Sequence, residues 1–349
     1  MRTARTLVPA RRATAALTGL TLSLTLAGCG IFGGGEEEPG DIQVYSARHY
    51  DLEEAFEDFE EDTGLKVDFL FGEDADLLQR LEAEGEGSPA DLFVTVDAGN
   101  LYAADQAGVL APLDSRPLER AVPAAYRADD NSWFGLARRE RTLVYNPDNV
   151  DPADFDPVNS YAGLGDPQWS GRLCMRDSSE AYTQSLVAAL MDQYGDDEAR
   201  DIVQGWIDND VDVMGNDVLL LEAVDAGTCD VAIVNHYYLA RELDENPDLN
   251  VELYWASQDG KGVMENISGA GVVSTADDAA DAQRLLEWLA TDGQEEFVGD
   301  NHEYPVNPDV APDDEIVAFG EFTTMPVDAE AYGERNADAL ALLDELGYE

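Results

Sequence analysis

The chain has 349 residues, of which 74 are acidic, 20 are lysine or arginine and 3 are histidine, so its formal net charge is −54. Hydrophobic residues make up 44% of the chain and aromatic residues 9%, which is enough to form cores and argues against intrinsic disorder. The negative charge excludes binding to nucleic acid or to an anionic lipid surface, because both require a basic face.

The first 28 residues are typical of an export signal. Four arginines precede an apolar run at residues 13–27 that is too short to span a bilayer comfortably. The run ends in Leu26-Ala27-Gly28-Cys29, which resembles the lipobox of bacterial lipoproteins and implies that Cys29 is lipidated. Residues 29–40, rich in glycine and glutamate, are expected to form a flexible tether. We expect an exported protein, lipid-anchored to a membrane and facing a periplasm or the cell exterior.

The acidic residues are spread over the whole chain after Cys29, where 16 basic and 74 acidic residues give a net charge of −58. Lysine occurs only at positions 66 and 261. A local acidic site would be concentrated, so this charge indicates a global surface property. We interpret it as a halophilic adaptation that keeps the protein soluble in a salty medium; attraction of cations is the alternative.

From residue 41 onward, short apolar runs alternate with amphipathic segments. The pattern predicts strands at 42–45, 65–71, 92–96, 141–145, 172–175 and 230–234. It predicts helices at 52–64, 76–83, 182–194, 199–209, 238–243, 278–291 and 329–346. The alternation predicts an α/β fold with mostly parallel sheets, and the length predicts roughly two domains.

Tyrosine and histidine occur at three predicted junctions where a strand ends and a helix begins, the usual place for ligands in open α/β sheets. These are His49 with Tyr50, Tyr182, and Tyr237 with Tyr238. Tyr182 is expected in the first helical turn, after Ser178 and Ser179 as N-caps. Each residue alone is explained by packing or by a surface position, and only their joint placement indicates a ligand site.

The chemistry of this donor set narrows the ligand to a hard, highly charged cation. A tyrosine with its ordinary pKa of about 10 becomes a phenolate near neutral pH only when such a cation is present. Zinc sites use cysteine, histidine and carboxylate, and calcium sites use carboxylates and carbonyls. Matching hard ligands to a hard metal indicates Fe³⁺.

An ordered set of motifs covers the chain from Ile42 to Glu349. They are Ser46-Ala47-Arg48-His49-Tyr50, Arg139-Glu140-Arg141, the segment through Tyr182, Asn235-His236-Tyr237-Tyr238, Asn266-Ile267-Ser268-Gly269-Ala270-Gly271 and Tyr304-Pro305-Val306-Asn307-Pro308. The set resembles that of the ferric-iron-binding lipoproteins of ABC importers. The resemblance implies a two-lobed periplasmic-binding-protein fold, type II-like, with Fe³⁺ bound in the cleft between the lobes.

The resemblance also implies roles for individual residues. Tyr50, with His49 as a further ligand, would bind the metal from the first lobe, and three tyrosines would bind it from the second: Tyr182, Tyr237 and Tyr238. Arg139 is similar to the residue that pairs with tyrosinates or a carbonate-type anion, and Arg141 is the weaker candidate for that role. His236 stands where relatives carry a small polar residue, so it lies either behind the ligands or in solvent. Glu140 also stands where a small residue is common.

By the same resemblance the chain crosses between the lobes twice. The first lobe would comprise residues 41–138 and 272–312, the second lobe residues 139–271, and the C-terminal helices at 313–349 would pack on the second lobe. Iron would favour the closed state, which an ABC permease with its ATPase would recognise; the protein would be a monomer.

Two other interpretations remain open from the sequence. The same fold binds polyamines, phosphonates or carboxylates, and an acidic cleft suits a polyamine. An enzyme is not expected, because the sequence has no serine nucleophile elbow, no phosphate-binding glycine loop and no HExxH helix.

Cys174 and Cys229 are the two cysteines besides Cys29, and each precedes a candidate tyrosine ligand by eight residues. In an exported chain this pair is expected to form a disulfide; two buried free thiols are the alternative.

Overall fold

The computed structural model describes residues 40–48, 53–299, 301–326 and 328–348, without the side chains of residues 53 and 54. The strands in this part of the chain are β1 (Ile42–Ser46), β2 (Val67–Phe71), β3 (Leu92–Thr95), β4 (Phe134–Tyr145), β5 (Leu173–Arg176), β6 (Asp212–Met214), β7 (Val231–Asn235), β8 (Glu252–Tyr254), β9 (Met264–Val272) and β10 (Tyr304–Pro305). The α-helices are α1 (Glu53–Thr63), α2 (Asp74–Glu84), α3 (Ala98–Gln106), α4 (Arg116–Ala121), α5 (Ser160–Gly163), α6 (Ala181–Tyr194), α7 (Asp196–Asp208), α8 (Asp217–Asp225), α9 (His236–Glu245), α10 (Ala279–Leu289), α11 (Gln294–Gly299), α12 (Asp314–Val317) and α13 (Ala329–Leu346).

These strands form one sheet with parallel flanks and an antiparallel centre. Its order is β2-β1-β3-β9-β4-β7-β5-β6, and β8 and β10 also pair with β4. On one flank β1 is parallel to β2 and β3, and on the other β5 is parallel to β6 and β7. In the centre β9 is antiparallel to β3 and β4, and β4 is antiparallel to β7.

The prediction of mostly parallel sheets is therefore right for the flanks and wrong for the centre. Strand β4 begins at Phe134 rather than Arg141, and β9 was not predicted as a strand. The first part of β4 mixes glycine, alanine and charged residues, and β9 contains two glycines and three polar residues. Such compositions lack the apolar alternation by which a strand is recognised, although almost all of these residues are buried.

The elements that carry the candidate tyrosines lie close to their predicted positions. Strands β5 and β7 and helix α6 begin within one residue of the prediction, and α13 has the predicted bounds. The expected serine N-caps of α6 are not observed. Glu180 occupies the N-cap without a capping hydrogen bond from its side chain, and Ser179 instead donates its hydroxyl and backbone N–H to Asp177.

Helix α13 packs against both α3 and α6, which follow strands on opposite flanks of the sheet. Gly99 in α3 and Gly333 in α13 allow the closest approach, since a Cβ added at Gly99 would lie 3.0 Å from the backbone nitrogen of Gly333. The Tyr332 hydroxyl also donates to the Glu265 carbonyl in β9, at 3.0 Å. The C-terminal helix is thus fixed both to the central strands and to a helix from each flank.

Cys174 in β5 and Cys229, two residues before β7, form a disulfide with their Cα atoms 5.8 Å apart. This separation lies within the usual range for disulfides. The bridge joins two neighbouring parallel strands, in which Leu173 pairs with Val231. Helices α6 and α9, which carry the candidate tyrosines, follow β5 and β7, so the bridge links the segments that lead into both helices.

Candidate metal centre

Three tyrosines meet where α6 and α9 begin. Because β5 and β7 are neighbouring parallel strands, the helices after them start at the same edge of the sheet, with Tyr182 in the first turn of α6 and Tyr237 and Tyr238 in the first turn of α9. The hydroxyl of Tyr237 donates to that of Tyr182 at 3.3 Å. The rings of Tyr237 and Tyr238 lie with centroids 4.4 Å apart. Three of the predicted ligands therefore lie together.

The predicted ligands His49 and Tyr50 lie outside the described residues, as does Cys29. The described chain stops at Arg48, two residues after β1, and resumes in α1. Arg48 is fully buried, and its guanidinium lies over the ring of Phe297, 4.0 Å from the centroid. The residue that immediately precedes the His49–Tyr50 pair thus has a fixed position.

Arg139 in β4 contacts the tyrosine cluster directly. One guanidinium nitrogen donates to the Tyr182 hydroxyl at 3.1 Å, and the other forms an ion pair with Glu303 at 3.2 Å. Its guanidinium carbon lies 5.7 Å from the ring centre of Tyr182 and 5.9 Å from that of Tyr237. This contact places a positive charge next to the Tyr182 hydroxyl oxygen and near the ring of Tyr237.

Arg141 is bound to other groups. Its two terminal nitrogens donate to the two oxygens of Asp217, at 2.9 and 3.3 Å, and one also donates to the side chain of Asn235 at 3.3 Å. Its guanidinium carbon lies 5.9 Å from the centre of the Tyr182 ring. Arg141 therefore contributes charge near the cluster, while Asp217 holds its guanidinium.

Arg176, which was not among the candidate site residues, is a third guanidinium beside Tyr182. It ends β5, lies 5.0 Å from the ring centre of Tyr182, and forms an ion pair with Glu180 at 2.7 Å. Burial lowers the pKa of Arg176, but Asp217 and the neighbouring Tyr238 outweigh burial and raise it overall. Its place at the end of a predicted strand, before a candidate ligand, was the signal that could have identified it.

His236 is fully buried, so a position in solvent is ruled out. Its Nδ1 accepts a hydrogen bond from the backbone N–H of Glu140 at 3.2 Å, and its Nε2 lies 3.0 Å from the carbonyl oxygen of His302. Burial lowers the pKa of His236 to about 4. The two ring nitrogens are thus engaged by β4 and by the loop before β10.

Glu140 is also buried and lies opposite Glu265 in the pairing of β4 with β9. Burial raises the pKa of the Glu140 carboxyl well above its usual value, and the neighbouring Glu265 raises it further. Glu265 itself forms an ion pair with Arg138 at 3.0 Å and accepts a hydrogen bond from Tyr126 at 3.0 Å. The acidic residue that departs from the family motif is thus part of a buried polar cluster in the central strands.

A cleft of about 610 Å³ opens beside the tyrosines. On one side it is lined by residues that follow β1, β2 and β3, among them Ala47, Asp74 and Val96. On the other side it is lined by Tyr182 and Tyr238, and by residues at the end of β5 and the start of α6. Burial raises the pKa of Asp74 to about 7. The cleft therefore lies between the carboxyl ends of the strands in the two parallel flanks, where α/β folds bind ligands.

Two parallel flanks joined by antiparallel central strands, with a cleft between their carboxyl ends, define the periplasmic-binding-protein fold. The chain belongs to the family of bacterial extracellular solute-binding proteins, whose sequence model matches residues 54–324. None of the helices in the described part of the chain is long and apolar enough to cross a membrane.

Known relatives agree with this assignment. The chain is 35% identical over 320 residues to iron uptake protein A1 of Synechocystis sp., covering 89% of this chain and 88% of that protein. It is similar to the solved structure of Trichodesmium IdiA (FutA) in complex with iron and citrate ligands, with a TM-score of 0.81, 36% identity, and coverage of 88% of this chain and 99% of that one. It is also similar to the ferric binding protein from Campylobacter jejuni, with a TM-score of 0.83, 30% identity, and coverage of 88% and 100%.

Proposed function

We propose that the protein captures ferric iron between two lobes and delivers it to an ABC permease and its ATPase. The observation that carries this proposal is the convergence of Tyr182, Tyr237 and Tyr238 beside the cleft, with the first two joined through their hydroxyls. Phenol oxygens are hard donors that match Fe³⁺. The similarity to iron uptake and ferric-binding proteins supports the same ligand.

In this proposal His49 and Tyr50 supply the remaining donors from the first lobe. Arg139, whose guanidinium already lies 3.1 Å from the Tyr182 hydroxyl oxygen, balances the phenolate charge and is the preferred partner for a carbonate-type anion. Arg141 is less suited to bind that anion because Asp217 occupies both of its terminal nitrogens. Phenolates and a trivalent cation attract strongly where the phenol groups are buried, as those of Tyr182 and Tyr237 are.

We propose the lobes as residues 41–138 with 272–312, and residues 139–271. Strands β4 and β9 support this division, because they run antiparallel through the centre of the sheet and connect its two parallel flanks. Residues 313–349 include α13, which contacts a helix from each flank. Iron binding to both lobes would favour their closed arrangement, which the permease would recognise.

The protein acts outside the cytoplasm as a monomeric lipoprotein, attached through Cys29 after removal of residues 1–28, and catalyses no reaction. The lipobox-like motif and the glycine-rich tether support the anchor. The anchor is its only contact with the membrane, because the strongly acidic surface is repelled by anionic lipid.

The test is a titration of purified residues 30–349 with ferric citrate. We expect a visible phenolate-to-iron charge-transfer band that saturates at one iron per chain. Calorimetry with spermidine and with methylphosphonate, as probes of the polyamine and phosphonate alternatives, should show no binding in the same buffer. Tight binding of either compound without a charge-transfer band would overturn the proposal.

A further inference from the structure

A chain of buried polar contacts runs from Arg48, just after β1, to Tyr182 in the first turn of α6. Arg48 forms an ion pair with one carboxylate oxygen of Glu303, and Arg139 forms an ion pair with the other at 3.2 Å. Arg139 in turn donates to the Tyr182 hydroxyl at 3.1 Å. The side chains of Arg48, Glu303 and Arg139 are each 1% exposed, so water screens these contacts very little.

One end of this chain of contacts is the proposed donor Tyr182, and the other end, Arg48, adjoins two further proposed donors in the sequence. Arg48 directly precedes His49 and Tyr50 in the sequence, and Tyr182 is a donor from the second lobe. Glu303 is 255 residues from Arg48 along the chain, and it comes immediately before β10. One carboxylate therefore contacts an arginine from each side of the cleft.

The position of Glu303 is fixed by its surroundings. Its backbone N–H donates to the Val298 carbonyl at 3.0 Å, and the next residue, Tyr304, pairs with Arg138 of β4. Arg48 is held from its other side, since a second guanidinium nitrogen donates to the Phe297 carbonyl at 2.6 Å. Burial raises the pKa of Glu303, but Arg48 and Arg139 outweigh burial, so the net shift is downward and the carboxyl is ionised at neutral pH.

We infer that Glu303 is a positioning residue for iron binding, which sets the placement of Arg48 and Arg139 and, through Arg139, of the proposed donor Tyr182. This inference rests on the proposed function. Outer residues that orient metal ligands typically contribute 10- to 100-fold to metal affinity. The carboxylate also neutralises part of the positive charge of Arg48 and Arg139, which would otherwise repel Fe³⁺.

The experiment compares residues 30–349 of the wild type with Glu303→Gln, which keeps the shape of the side chain and removes its charge. Iron affinity is measured by citrate competition, and the position of the charge-transfer band is recorded. We expect about a 10- to 100-fold loss of affinity and a shifted band. Asp230→Asn, which breaks the partly exposed ion pair with Arg172 away from the cleft, is the matched control and should leave both readouts unchanged.

A second arm tests whether Glu303 acts through Tyr182. If it does, Glu303→Gln should cost much less affinity in a Tyr182→Phe background than in the wild type, because coupled residues are not additive. If Glu303→Gln does not fold, the double variant Arg48→Gln with Glu303→Gln removes one positive and one negative charge together and should still bind iron about 10- to 100-fold more weakly.

The outcomes separate the inference from the proposed function. A wild-type protein that shows no charge-transfer band contradicts the proposed function itself. A wild-type protein that binds iron normally, with a Glu303→Gln variant that loses thermal stability but keeps its affinity and band, overturns only the positioning role. Equal losses of affinity in the wild-type and Tyr182→Phe backgrounds would also overturn it.

Discussion

The hydroxyl oxygens of Tyr237 and Tyr182 lie 3.3 Å apart and share one hydrogen bond, although the two residues begin different helices. Arg139 donates to the same Tyr182 oxygen, so this oxygen accepts from two donors. A cation that binds both tyrosines as phenolates must remove the proton that joins them. Tyr182 and Tyr237 thus form a hydrogen-bonded pair of phenols, and a metal ion that binds both oxygens would displace their protons.

Iron loading should therefore release protons, since each phenol that becomes a ligand gives up its own. The wild type and Tyr182→Phe are loaded from the same ferric citrate stock in weakly buffered solution, and the change in pH is followed by back-titration. The variant should release about one proton fewer for each iron bound. Equal release by the two proteins would show that Tyr182 does not ligate as a phenolate.

Reduction of the Cys174–Cys229 disulfide should destabilise the protein. The two cysteines are 55 residues apart, and closing such a loop contributes at most about 4 kcal/mol in the chain-entropy model. Urea unfolding with and without a phosphine reductant measures the difference. Alkylation of the denatured, non-reduced protein followed by mass spectrometry is the direct check, and labelling of both cysteines would refute the bridge.

His302 and His236 should make the free energy of unfolding depend on pH in opposite directions. A hydrogen bond from His302 to Asp313 raises the pKa of His302 in the folded state. The stabilisation that His302 provides is therefore complete below about pH 6.5 and is lost as the pH rises through this raised pKa. The lowered pKa of His236, about 4, makes the folded state lose stability as pH falls from about 6.5 toward 4.

The corresponding variant is His302→Gln. It should reduce the free energy of unfolding more at pH 6 than at pH 9, because only the protonated imidazole donates to Asp313 and to Asp244 at the same time and attracts both through its charge. Chemical denaturation at the two pH values measures this. A loss that is equal at both pH values would show that the charge of His302 does not contribute to stability.

Much of the fold could be predicted because the flanking elements have regular patterns. Helix α13 carries a helical repeat of apolar residues and was predicted with its observed bounds, and the strands before α6 and α9 are short apolar runs. Helix α8 was missed because Asp217–Asp225 is largely apolar on all sides and shows no clear period. Strand β9 was missed because glycines and polar residues hide its burial.

Tyr182, Tyr237 and Tyr238 could be located from the sequence because the ends of the strands before them are recognisable. The residues that contact them from other parts of the chain could not be located in this way. Glu303 contacts Arg48, which is 255 residues away in the sequence, and Arg176 lies 3.8 Å from Asp217 at the start of α8. Neither contact produces a local pattern in the sequence. The sequence left the burial of His236 open, and the structure shows it through the contacts of its ring with Glu140 and His302.

Thermal stability should rise with NaCl from low to molar concentration. A net charge of −58 after Cys29 makes the compact state repel itself, and the Debye length falls from about 10 Å at 0.1 M salt to about 3 Å at 1 M. Ion pairs weaken with salt, but only 16 basic residues are present to form them. A melting temperature that stays flat or falls would require another explanation for the acidity.

The most direct test of tyrosine-based iron binding is the charge-transfer band of a variant that carries both Tyr237→Phe and Tyr238→Phe. Tyr102→Phe, in a helix outside the tyrosine cluster, serves as the control for loss of a phenol. We predict that the double variant folds, as judged by circular dichroism, but loses the band or shows it strongly shifted, and binds ferric iron much more weakly than the control. Full iron binding with an unchanged band in the double variant would contradict the assignment of the metal site.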